Sequence, residues 1–370
     1  MKFASQQRSY PINNLTRPFI QAALIFVCLL GNHSAVAAEF NWKYATVVPP
    51  NFPVFGTGAI RLAKAIETMS QGRIAIKVYG AGELVTAFEV FDAVSRGTVE
   101  MGQGAPYFWK GKVPAAQLLA TVPFGMTAEE TNAWVFNGGG IELWREAYAP
   151  FGIFPVLAGN TGPQMGGWFN KQINSVEDLR GLKIRVPGLG GEVYSRAGAL
   201  TVNLPGAEIF PALQAGTIDA TDWIAPFNDL AFGIHKAARY YYWPGWHEPG
   251  GTIELLLNKQ ALASLPEDLR QIVIRAGEAA GLEMLSEFTA YNHQALQTLV
   301  EQGVEIRQFP PEVIEQFRQL STEVVDTLVA SDPLAAKIAA SQRRFMANVV
   351  PWQKISVQPL MAIRKPAPVQ

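Results

Sequence analysis

The sequence predicts an α/β protein of two lobes, and three observations support this fold class. The chain has 370 residues, which at roughly 100–200 residues per domain implies about two domains, each able to bury a core. Two series of short apolar runs alternate with helical patterns, as in largely parallel sheets covered by helices. A long uninterrupted helical pattern follows. Because it is longer than a small domain is wide, we expect it to lie across both lobes.

Residues 1–38 have the pattern of a secretory signal peptide. Lys2, Arg8 and Arg17 supply positive charge, residues 22–30 are an uncharged apolar run, and residues 35–38 offer small side chains for cleavage. The apolar run is less than half of the roughly 20 residues that a membrane-spanning helix needs. We therefore expect an exported protein that is located in the periplasm.

Composition excludes several classes of function. The chain has 30 basic and 31 acidic residues, and without the leader the count becomes 27 against 31, a net charge of −4. Only 16% of the residues are charged, which argues against a disordered tail or a nucleic-acid-binding surface. The single cysteine, Cys28, lies in the leader. The mature chain therefore has no disulfide, thiol nucleophile, zinc ribbon or iron–sulfur cluster.

The first series of elements predicts lobe I over residues 39–161, completed by residues at about 250–290. Apolar alternation and helical spacing, punctuated by glycine, indicate each element. The predicted elements are strand 41–48, helix 58–70, strand 73–79, helix 87–95 and strand 99–103.

The second series predicts lobe II over residues 162–249, together with part of the C-terminal helices. Its predicted elements are strands 166–169, 182–186 and 218–224 and helices 192–199 and 208–215. Residues 240–251 are aromatic and rich in glycine and proline, which indicates a connector returning to a lobe I strand at 252–257.

The last third of the chain is predicted to be helical. A capping box at Ser264–Glu267 opens a helix that continues to Gln302, where Gly303 stops it. Further helices are expected at 311–330 and 333–348. We assign residues 290–355 to a C-terminal helical region and residues 356–370 to a frayed tail.

Few patterns in the chain point to catalysis. The histidines after the leader, His235, His247 and His293, have no metal-ligand spacing. The chain has neither a nucleophile elbow nor a Walker loop. Residues 187–192, Pro-Gly-Leu-Gly-Gly-Glu, open a helix after a strand, which suits either an anion or an ordinary tight turn.

Three charged residues are candidates for ligand binding. Arg185 lies at the end of an otherwise apolar strand, which suits a bidentate carboxylate, although a surface arginine has the same pattern. Asp222 comes late in a predicted strand, where open α/β sheets bind ligands. Glu248 lies in the most aromatic stretch of the chain. It is either a solvated loop residue or a buried carboxylate that is paired or coordinates a cation.

The chain resembles the solute-binding subunits of tripartite ATP-independent periplasmic (TRAP) transporters, and within them the branch that binds 2-oxo acids. The matching segments are 80–84, 88–94, 164–169 (Gln-Met-Gly-Gly-Trp-Phe), 181–188 (Gly-Leu-Lys-Ile-Arg-Val-Pro-Gly), 219–223 (Asp-Ala-Thr-Asp-Trp) and 241–248 (Tyr-Tyr-Trp-Pro-Gly-Trp-His-Glu). They occur in order over most of the mature chain, and a coincidence of so many segments is improbable.

The resemblance implies a two-lobed periplasmic-binding-protein fold that closes on a ligand in the cleft, with a long helix spanning both lobes. It also implies that Arg185 holds the ligand carboxylate and that Tyr107 contacts the ligand. A bound cation would be held by Gln164, Asp222, the backbone carbonyl of Trp223, and Glu248, with Gln164 near the ligand as well.

The cation implied by the resemblance is sodium or calcium, because all its ligands are hard oxygen atoms. One position departs from the pattern of the branch: Asp222 stands where glutamate is frequent, and the shorter side chain could alter how the cation is placed. The charges of Asp222, Glu248, a ligand carboxylate and Arg185 sum to −2. Calcium would neutralise the site, and sodium would leave −1.

The resulting hypothesis is a receptor, not an enzyme, that delivers a small 2-oxo acid such as pyruvate to TRAP membrane subunits. One alternative is a receptor for lactate or another 2-hydroxy acid that uses calcium. A more distant one is a periplasmic lyase or isomerase using the same cation. The C-terminal helices, at 333–354, could pack on their own chain or form a homodimer.

Overall fold

The computed structural model describes residues 38–364, so the predicted leader lies almost wholly outside the described residues. Within this range, no helix has both the length and the apolar character that crossing a membrane requires. Eleven strands form two sheets, one of five strands and one of six, and helices surround both. This is the predicted two-lobed α/β architecture.

The strands and helices are given in chain order. The strands are β1 (Phe40–Ala45), β2 (Ile74–Tyr79), β3 (Met101–Gly104), β4 (Ile153–Asn160), β5 (Gly167–Phe169), β6 (Lys183–Arg185), β7 (Leu200–Val202), β8 (Ala220–Thr221), β9 (Tyr240–Trp243), β10 (Thr252–Asn258) and β11 (Glu305–Gln308). The α-helices are α1 (Phe55–Met69), α2 (Val90–Ser95), α3 (Ala116–Ala120), α4 (Ala128–Asn137), α5 (Gly140–Tyr148), α6 (Gly188–Arg196), α7 (Gly206–Gln214), α8 (Pro226–Phe232), α9 (Lys259–Ser264), α10 (Glu267–Glu301), α11 (Pro311–Ser331), α12 (Pro333–Ile355) and α13 (Val357–Ile363). Short 3₁₀ helices lie at Ala87–Glu89, Pro106–Trp109, Ala149–Phe151, Glu177–Leu179 and Ile234–Lys236.

Both sheets are mixed, although the sequence predicts largely parallel ones. The first has the order β2-β1-β3-β10-β4, in which β1 is parallel to β2 and β3 while β10 is antiparallel to β3 and β4. The second has the order β11-β9-β5-β8-β6-β7, and β5 is antiparallel to both of its neighbours. The antiparallel strands β5 and β10 are the first strands after the chain passes from one sheet to the other, so they enter without a helical crossover.

Two adjacent crossings connect the sheets directly, and helices α9 and α10 form a third connection from β10 to β11. The chain leaves the first sheet through residues 161–166 and returns through residues 244–251. Backbone hydrogen bonds join the crossings, from Thr161 N to Gly251 O (2.9 Å) and from Gln164 N to Glu248 O (3.1 Å). The crossings therefore bring Gln164 and Glu248 together at the junction of the lobes.

Helix α10 spans both lobes, as the sequence predicts. Its 35 residues correspond to about 52 Å at 1.5 Å per residue. On the lobe I side its Phe288 ring lies 6.0 Å from that of Phe55 in α1. On the lobe II side its Asn292 Oδ1 accepts a hydrogen bond from Phe227 N of α8 (3.1 Å).

The predicted capping box at Ser264–Glu267 is wrong. The N-cap of α10 is Pro266, and no side chain caps it. Ser264 is instead the last residue of α9, and its hydroxyl donates to the carbonyl of Ala261 (2.7 Å). Ser264, which the sequence pattern assigns to the start of α10, therefore belongs to the end of the short helix α9 before it.

Several other segments differ from the predictions. Residues 240–243, expected in a connector, form β9 inside the second sheet, where Tyr241 and Tyr242 are buried. Aromatic residues are common in strands because they fit a half-buried pleated surface. The Pro-Gly sequence that follows is typical of a connector and therefore hides the strand signal. Residues 188–191, expected in a turn, are already the first turn of α6. The strand expected at 218–224 is reduced to Ala220–Thr221, so Asp222 follows the strand rather than lying in it.

The C-terminal helices pack against both lobes and extend further than predicted. Helix α12 runs to Ile355 rather than Asn348, and α13 lies in the region expected to be frayed, while residues 365–370 are outside the described range. The lobe I contacts of α12 include hydrogen bonds from Trp134 Nε1 to Ser341 Oγ (3.1 Å) and from Gln342 Nε2 to Leu118 O (2.8 Å).

Candidate ligand and cation site

A cavity at the junction of the lobes is lined by residues from both. The cavity has a volume of about 30 Å³, which suits a few waters or a small solute. Lobe I contributes Val48, Phe55, Ala105, Tyr107, Phe108 and Ile253, lobe II contributes Arg185, Gly206, Trp223 and Ile224, and the crossings contribute Thr161, Gln164, Glu248 and Gly251. Most of the lining is apolar, so its few polar groups define how a solute is oriented.

Arg185 is the charged residue of this cavity on the lobe II side. It ends β6 and is 1% exposed. Its Nε donates to Leu204 O (3.1 Å) and its Nη1 to Asp222 O (2.9 Å). Burial lowers the pKa of Arg185, while the charge of Asp222 opposes that shift; an arginine nevertheless keeps its charge in proteins. Two backbone carbonyls thus fix the guanidinium at the cavity wall.

Asp222 lies behind the cavity wall, directly after β8. Its backbone N–H donates to Arg185 O (2.9 Å), which ties the ends of β6 and β8 together. The carboxylate is 1% exposed, and within residues 38–364 neither of its oxygens accepts a hydrogen bond. Its nearest charged or titratable neighbours are His247 Nε2, 3.0 Å from Oδ1, and Arg185 Nη1, 3.8 Å from Oδ2.

Gln164 and Glu248 meet across the two crossings. Gln164 Nε2 donates to Glu248 Oε2 (2.7 Å) and to Thr161 Oγ1 (3.2 Å), and Gln164 Oε1 is buried without a donor among the described residues. Burial, together with the charge of Asp222, raises the pKa of Glu248 well above its ordinary value. A Cβ on Gly251 would lie 2.6 Å from Glu248 Oε2 and 2.7 Å from Gln164 Nε2, so a larger residue there would displace one of these side chains.

Tyr107 and Trp223 complete the predicted set. Tyr107 belongs to the 3₁₀ helix Pro106–Trp109 and reaches across from lobe I to lobe II, where Gly188 leaves room: a Cβ on Gly188 would lie 3.2 Å from the Tyr107 side chain. Burial, and the charge of Glu248, raise the pKa of Tyr107. The Trp223 ring lies 5.5 Å from the Arg185 guanidinium and forms part of the apolar wall.

The donor set is compatible with a hard cation. Asp222, His247 and Glu248 each offer a ligand atom, and these atoms lie within 4.8 Å of one another. Carboxylate and amide oxygens that are buried without donors are what a calcium or sodium ion would satisfy. Gln164 Oε1 and the two Asp222 oxygens meet this description. The structure thus brings all six predicted residues to one junction.

Sequence reasoning missed His247, which is 1% exposed and lies against Asp222. The histidines have no metal-ligand spacing to one another, and the Pro-Gly-Gly sequence that follows His247-Glu248 cannot place a second ligand one helical turn on. The available signal was its position next to Glu248 within the segment that also carries the resemblance.

The fold and the site together define a two-lobed solute receptor with a small cavity at the junction of its lobes. A family described as bacterial extracellular solute-binding protein, family 7 (DctP), matches residues 44–332. The chain belongs to this family. Because the family consists of solute receptors, the predictions of a receptor rather than an enzyme and of the TRAP family are confirmed, which argues against the lyase or isomerase alternative.

Individual relatives share the family over nearly their whole length. A monocarboxylate 2-oxoacid-binding periplasmic protein of Nostoc sp. is 38% identical over 332 residues, covering 89% of this chain and 91% of the relative. The predicted periplasmic location agrees with this relative and with a C4-dicarboxylate-binding periplasmic protein of Rhodobacter capsulatus, which is 24% identical over 325 residues, covering 83% of this chain and 92% of the relative.

Solved structures of TRAP periplasmic solute-binding proteins show the same fold. One from Colwellia psychrerythraea, with bound calcium and pyruvate, has a TM-score of 0.85 and 41% identity, covering 87% of this chain and 99% of that one. One from Pseudoalteromonas atlantica, with bound sodium and pyruvate, has a TM-score of 0.86 and 41% identity, covering 88% and 99%. One from Bordetella bronchiseptica, a dimer with calcium and picolinate, has a TM-score of 0.86 and 33% identity, covering 88% and 97%.

Proposed function

We propose that this receptor binds a small 2-oxo acid, such as pyruvate, together with one sodium or calcium ion, and delivers the acid to TRAP membrane subunits. The observation that carries the proposal is the charge arrangement of the junction. A fixed guanidinium, that of Arg185, lies beside buried oxygen atoms of Gln164, Asp222 and Glu248, and the adjoining cavity is small and otherwise apolar.

The chemistry of a 2-oxo acid matches both halves of this arrangement. One carboxylate oxygen and the neighbouring oxo group can chelate a cation in a five-membered ring, while Arg185 binds the other carboxylate oxygen. Tyr107 and the apolar wall would enclose the short alkyl group. The similar proteins from Colwellia and Pseudoalteromonas contain pyruvate with calcium and sodium respectively, which supports this ligand class.

The proposed cation ligands are Gln164 Oε1, the carboxylates of Asp222 and Glu248, and the backbone carbonyl of Trp223. When bound, the cation would supply positive charge that offsets the buried carboxylates and polarises the bound acid. Asp222, Glu248, Arg185 and the carboxylate of the bound acid carry a net charge of −2, which calcium would neutralise. Calcium is therefore favoured over sodium in a site with so little solvent.

Closure of the lobes would report occupancy to the membrane subunits. We propose that the lobes divide as the sequence predicts, at about 161/162 and 249/250, where the two crossings can act as a hinge. An ion pair between Lys110 of lobe I and Glu192 of lobe II (2.9 Å) lies across the interface, next to the Tyr107–Gly188 contact.

A 2-hydroxy acid such as lactate, bound with calcium, is the second candidate. Its hydroxyl can replace the oxo group in the chelate ring. Because lactate also carries one carboxylate, a site that holds lactate and calcium would be neutral as well. Parallel titrations with pyruvate and lactate, each with calcium or with sodium alone, separate the two candidates: we expect tighter binding of pyruvate, and tighter binding of lactate would reverse the assignment.

Tryptophan fluorescence tests the proposal directly, because Trp223 lines the cavity. Titration of the purified protein with pyruvate should change the emission saturably, with one acid bound per chain. The same mixture should contain only unchanged pyruvate after incubation. An absence of binding, or the appearance of a product, would contradict the proposal.

We also propose a homodimer that uses the C-terminal helices. The end of α12 and all of α13 expose apolar side chains, among them Trp352 (62%), Ile355 (75%) and Ile363 (74%), and exposed clusters of this kind mark interaction sites. The dimeric state of the Bordetella protein supports the proposal. Light scattering should give twice the chain mass for the protein and a single chain mass for a variant ending at residue 349. A monomeric full-length protein would refute it.

A further inference from the structure

We propose that His247 is a positioning residue for the cation site: its imidazole holds the carboxylate of Asp222 in place for the cation. The inference rests on the proposed function, since it concerns the cation that the site would bind. It assigns a role to a side chain that neither the sequence patterns nor the ligand set implied by the family contains.

Asp222 is a buried carboxylate whose oxygens accept no hydrogen bond from the described residues. A buried carboxylate is costly unless something pairs with it. Arg185 is its formal partner, but its nearest nitrogen is 3.8 Å from Oδ2, and the hydrogen bonds of Arg185 go to two carbonyl groups. The closer group is His247 Nε2, which lies 3.0 Å from Oδ1. Among the described residues this contact is not aligned as a hydrogen bond, and a small turn of the ring or of the carboxylate would align the N–H with Oδ1 when a cation binds.

The fold fixes the imidazole of His247 from two sides. The ring lies 5.3 Å from the ring of Trp246, which in turn stacks on Phe317 of α11 (4.2 Å). On the other side, α6 approaches so closely that a Cβ on Gly190 would lie 3.1 Å from His247 Cβ. A histidine confined in this way can fix the orientation of the side chain it touches.

The carboxylate of Asp222 lies close to a second carboxylate that could share a cation with it. Asp222 and Glu248 offer oxygens that lie within 4.8 Å of each other and of a His247 nitrogen. A hard cation prefers the oxygens, which leaves the nitrogen as a partner of Asp222. Outer partners of this kind orient the ligands of metal sites, and their removal typically costs about 10- to 100-fold in metal affinity.

Two substitutions separate orientation from packing. His247→Phe keeps an aromatic ring in the confined space but has no donor, whereas His247→Gln keeps an N–H donor on a side chain of similar reach. If His247 positions Asp222, the phenylalanine variant should lose about 10- to 100-fold in calcium affinity, and the glutamine variant should recover most of that loss. If His247 only fills space, the phenylalanine variant should instead bind calcium more tightly than the glutamine variant.

The assay uses the full mature chain and terbium(III), a hard cation whose luminescence nearby tryptophans sensitise, displaced by calcium in the absence of any acid. Gly190→Ala is a second variant that crowds His247 without changing its chemistry, and it should also weaken calcium binding. Thermal unfolding of each variant shows whether the fold persists.

The outcomes are distinct. Weak calcium binding by the phenylalanine variant with recovery in the glutamine variant supports the inference. Wild-type affinity in the phenylalanine variant overturns it. Tight zinc binding by the wild type, lost in both variants while calcium binding is unchanged, also overturns it, because it makes His247 a direct ligand of a softer cation. If the wild type binds calcium but not pyruvate or lactate, the proposed function fails while the positioning test still stands.

Discussion

The most informative substitution is at Arg185, because one side chain serves both the ligand and the protein. In the proposed complex its guanidinium binds a carboxylate in a cavity with little solvent. Removing one partner of such a buried pair costs about 3–5 kcal/mol, which corresponds to a loss in affinity of roughly two to nearly four orders of magnitude. Arg185→Ala should therefore abolish measurable pyruvate binding.

Arg185 also stabilises the fold itself. Arg185 donates to the carbonyls of Leu204 and Asp222, and hydrogen bonds from a charged group contribute about 1.5–3 kcal/mol each. Arg185→Ala should thus lower the unfolding temperature as well. Arg185→Lys keeps the charge but not the planar fork, so we expect an intermediate affinity.

Isothermal titration with pyruvate, performed alongside thermal unfolding, measures both effects. Arg196→Ala is the matched control, because Arg196 is an arginine of α6 whose ion pair with Glu323 lies on the surface; its affinity should equal that of the wild type. Pyruvate binding by a folded Arg185→Ala variant with wild-type affinity would refute the carboxylate assignment.

Three further predictions concern other residues. Glu248→Gln removes a charge from the proposed cation site, so pyruvate affinity should fall by about 1.5–3 kcal/mol with calcium present; equal affinity with and without a chelator would rule out the bridging cation. Gly251→Ala should weaken calorimetric pyruvate binding by about 1–3 kcal/mol, because its Cβ would displace Glu248 or Gln164; Gly111→Ala, in open space, should bind normally, and equal loss in both would contradict the steric argument. Burial raises the pKa of Glu254 to about 8, so the folded protein holds this proton more tightly than the unfolded chain does. The resulting contribution to the free energy of unfolding is complete below about pH 4 and is lost as pH rises towards 8. The loss is about 5 kcal/mol, at 1.36 kcal/mol per pH unit. Denaturant unfolding of Glu254→Gln should show a correspondingly flatter pH profile between pH 5 and 8, and an unchanged profile would contradict it.

The pH prediction for Glu254 depends on groups that sequence reasoning does not bring together. The carboxyl lies in β10 and accepts hydrogen bonds from Trp109 Nε1, from Trp144 Nε1 (3.1 Å) and from the Tyr148 hydroxyl (3.2 Å). These donors come from segments more than 100 residues away in the chain. Local periodicity reports which face of an element is apolar, but not which distant side chains meet behind it.

Where the sequence succeeded, the relevant signal was local. The absence of proline between Pro266 and Gln302 predicts the long helix, and strand endings predict that Arg185 and Asp222 lie at one edge, as the hydrogen bond between Asp222 N and Arg185 O shows. The aromatic segment made Glu248 a candidate, whereas only the resemblance selected Gln164. The proximity of these two residues depends on crossings 84 residues apart.

Where the sequence failed, the signal was either ambiguous or non-local. The aromatic segment 240–243 next to Pro-Gly reads equally well as connector or strand, and only pairing with β5 and β11 decides it. The role of His247 depends on contact with Asp222, 25 residues earlier in the chain. Its spacing to the other histidines does not indicate that contact, and its position next to Glu248 indicates only that it lies near the site.

Native mass spectrometry of the mature protein incubated with pyruvate tests the central claim most directly, namely that the site holds one acid and one cation together. The account predicts a single bound species whose added mass equals one pyruvate plus one calcium or sodium ion, and its loss in Glu248→Gln. A species that carries pyruvate with no cation, with the same occupancy after treatment with a chelator in sodium-free buffer, would contradict the account.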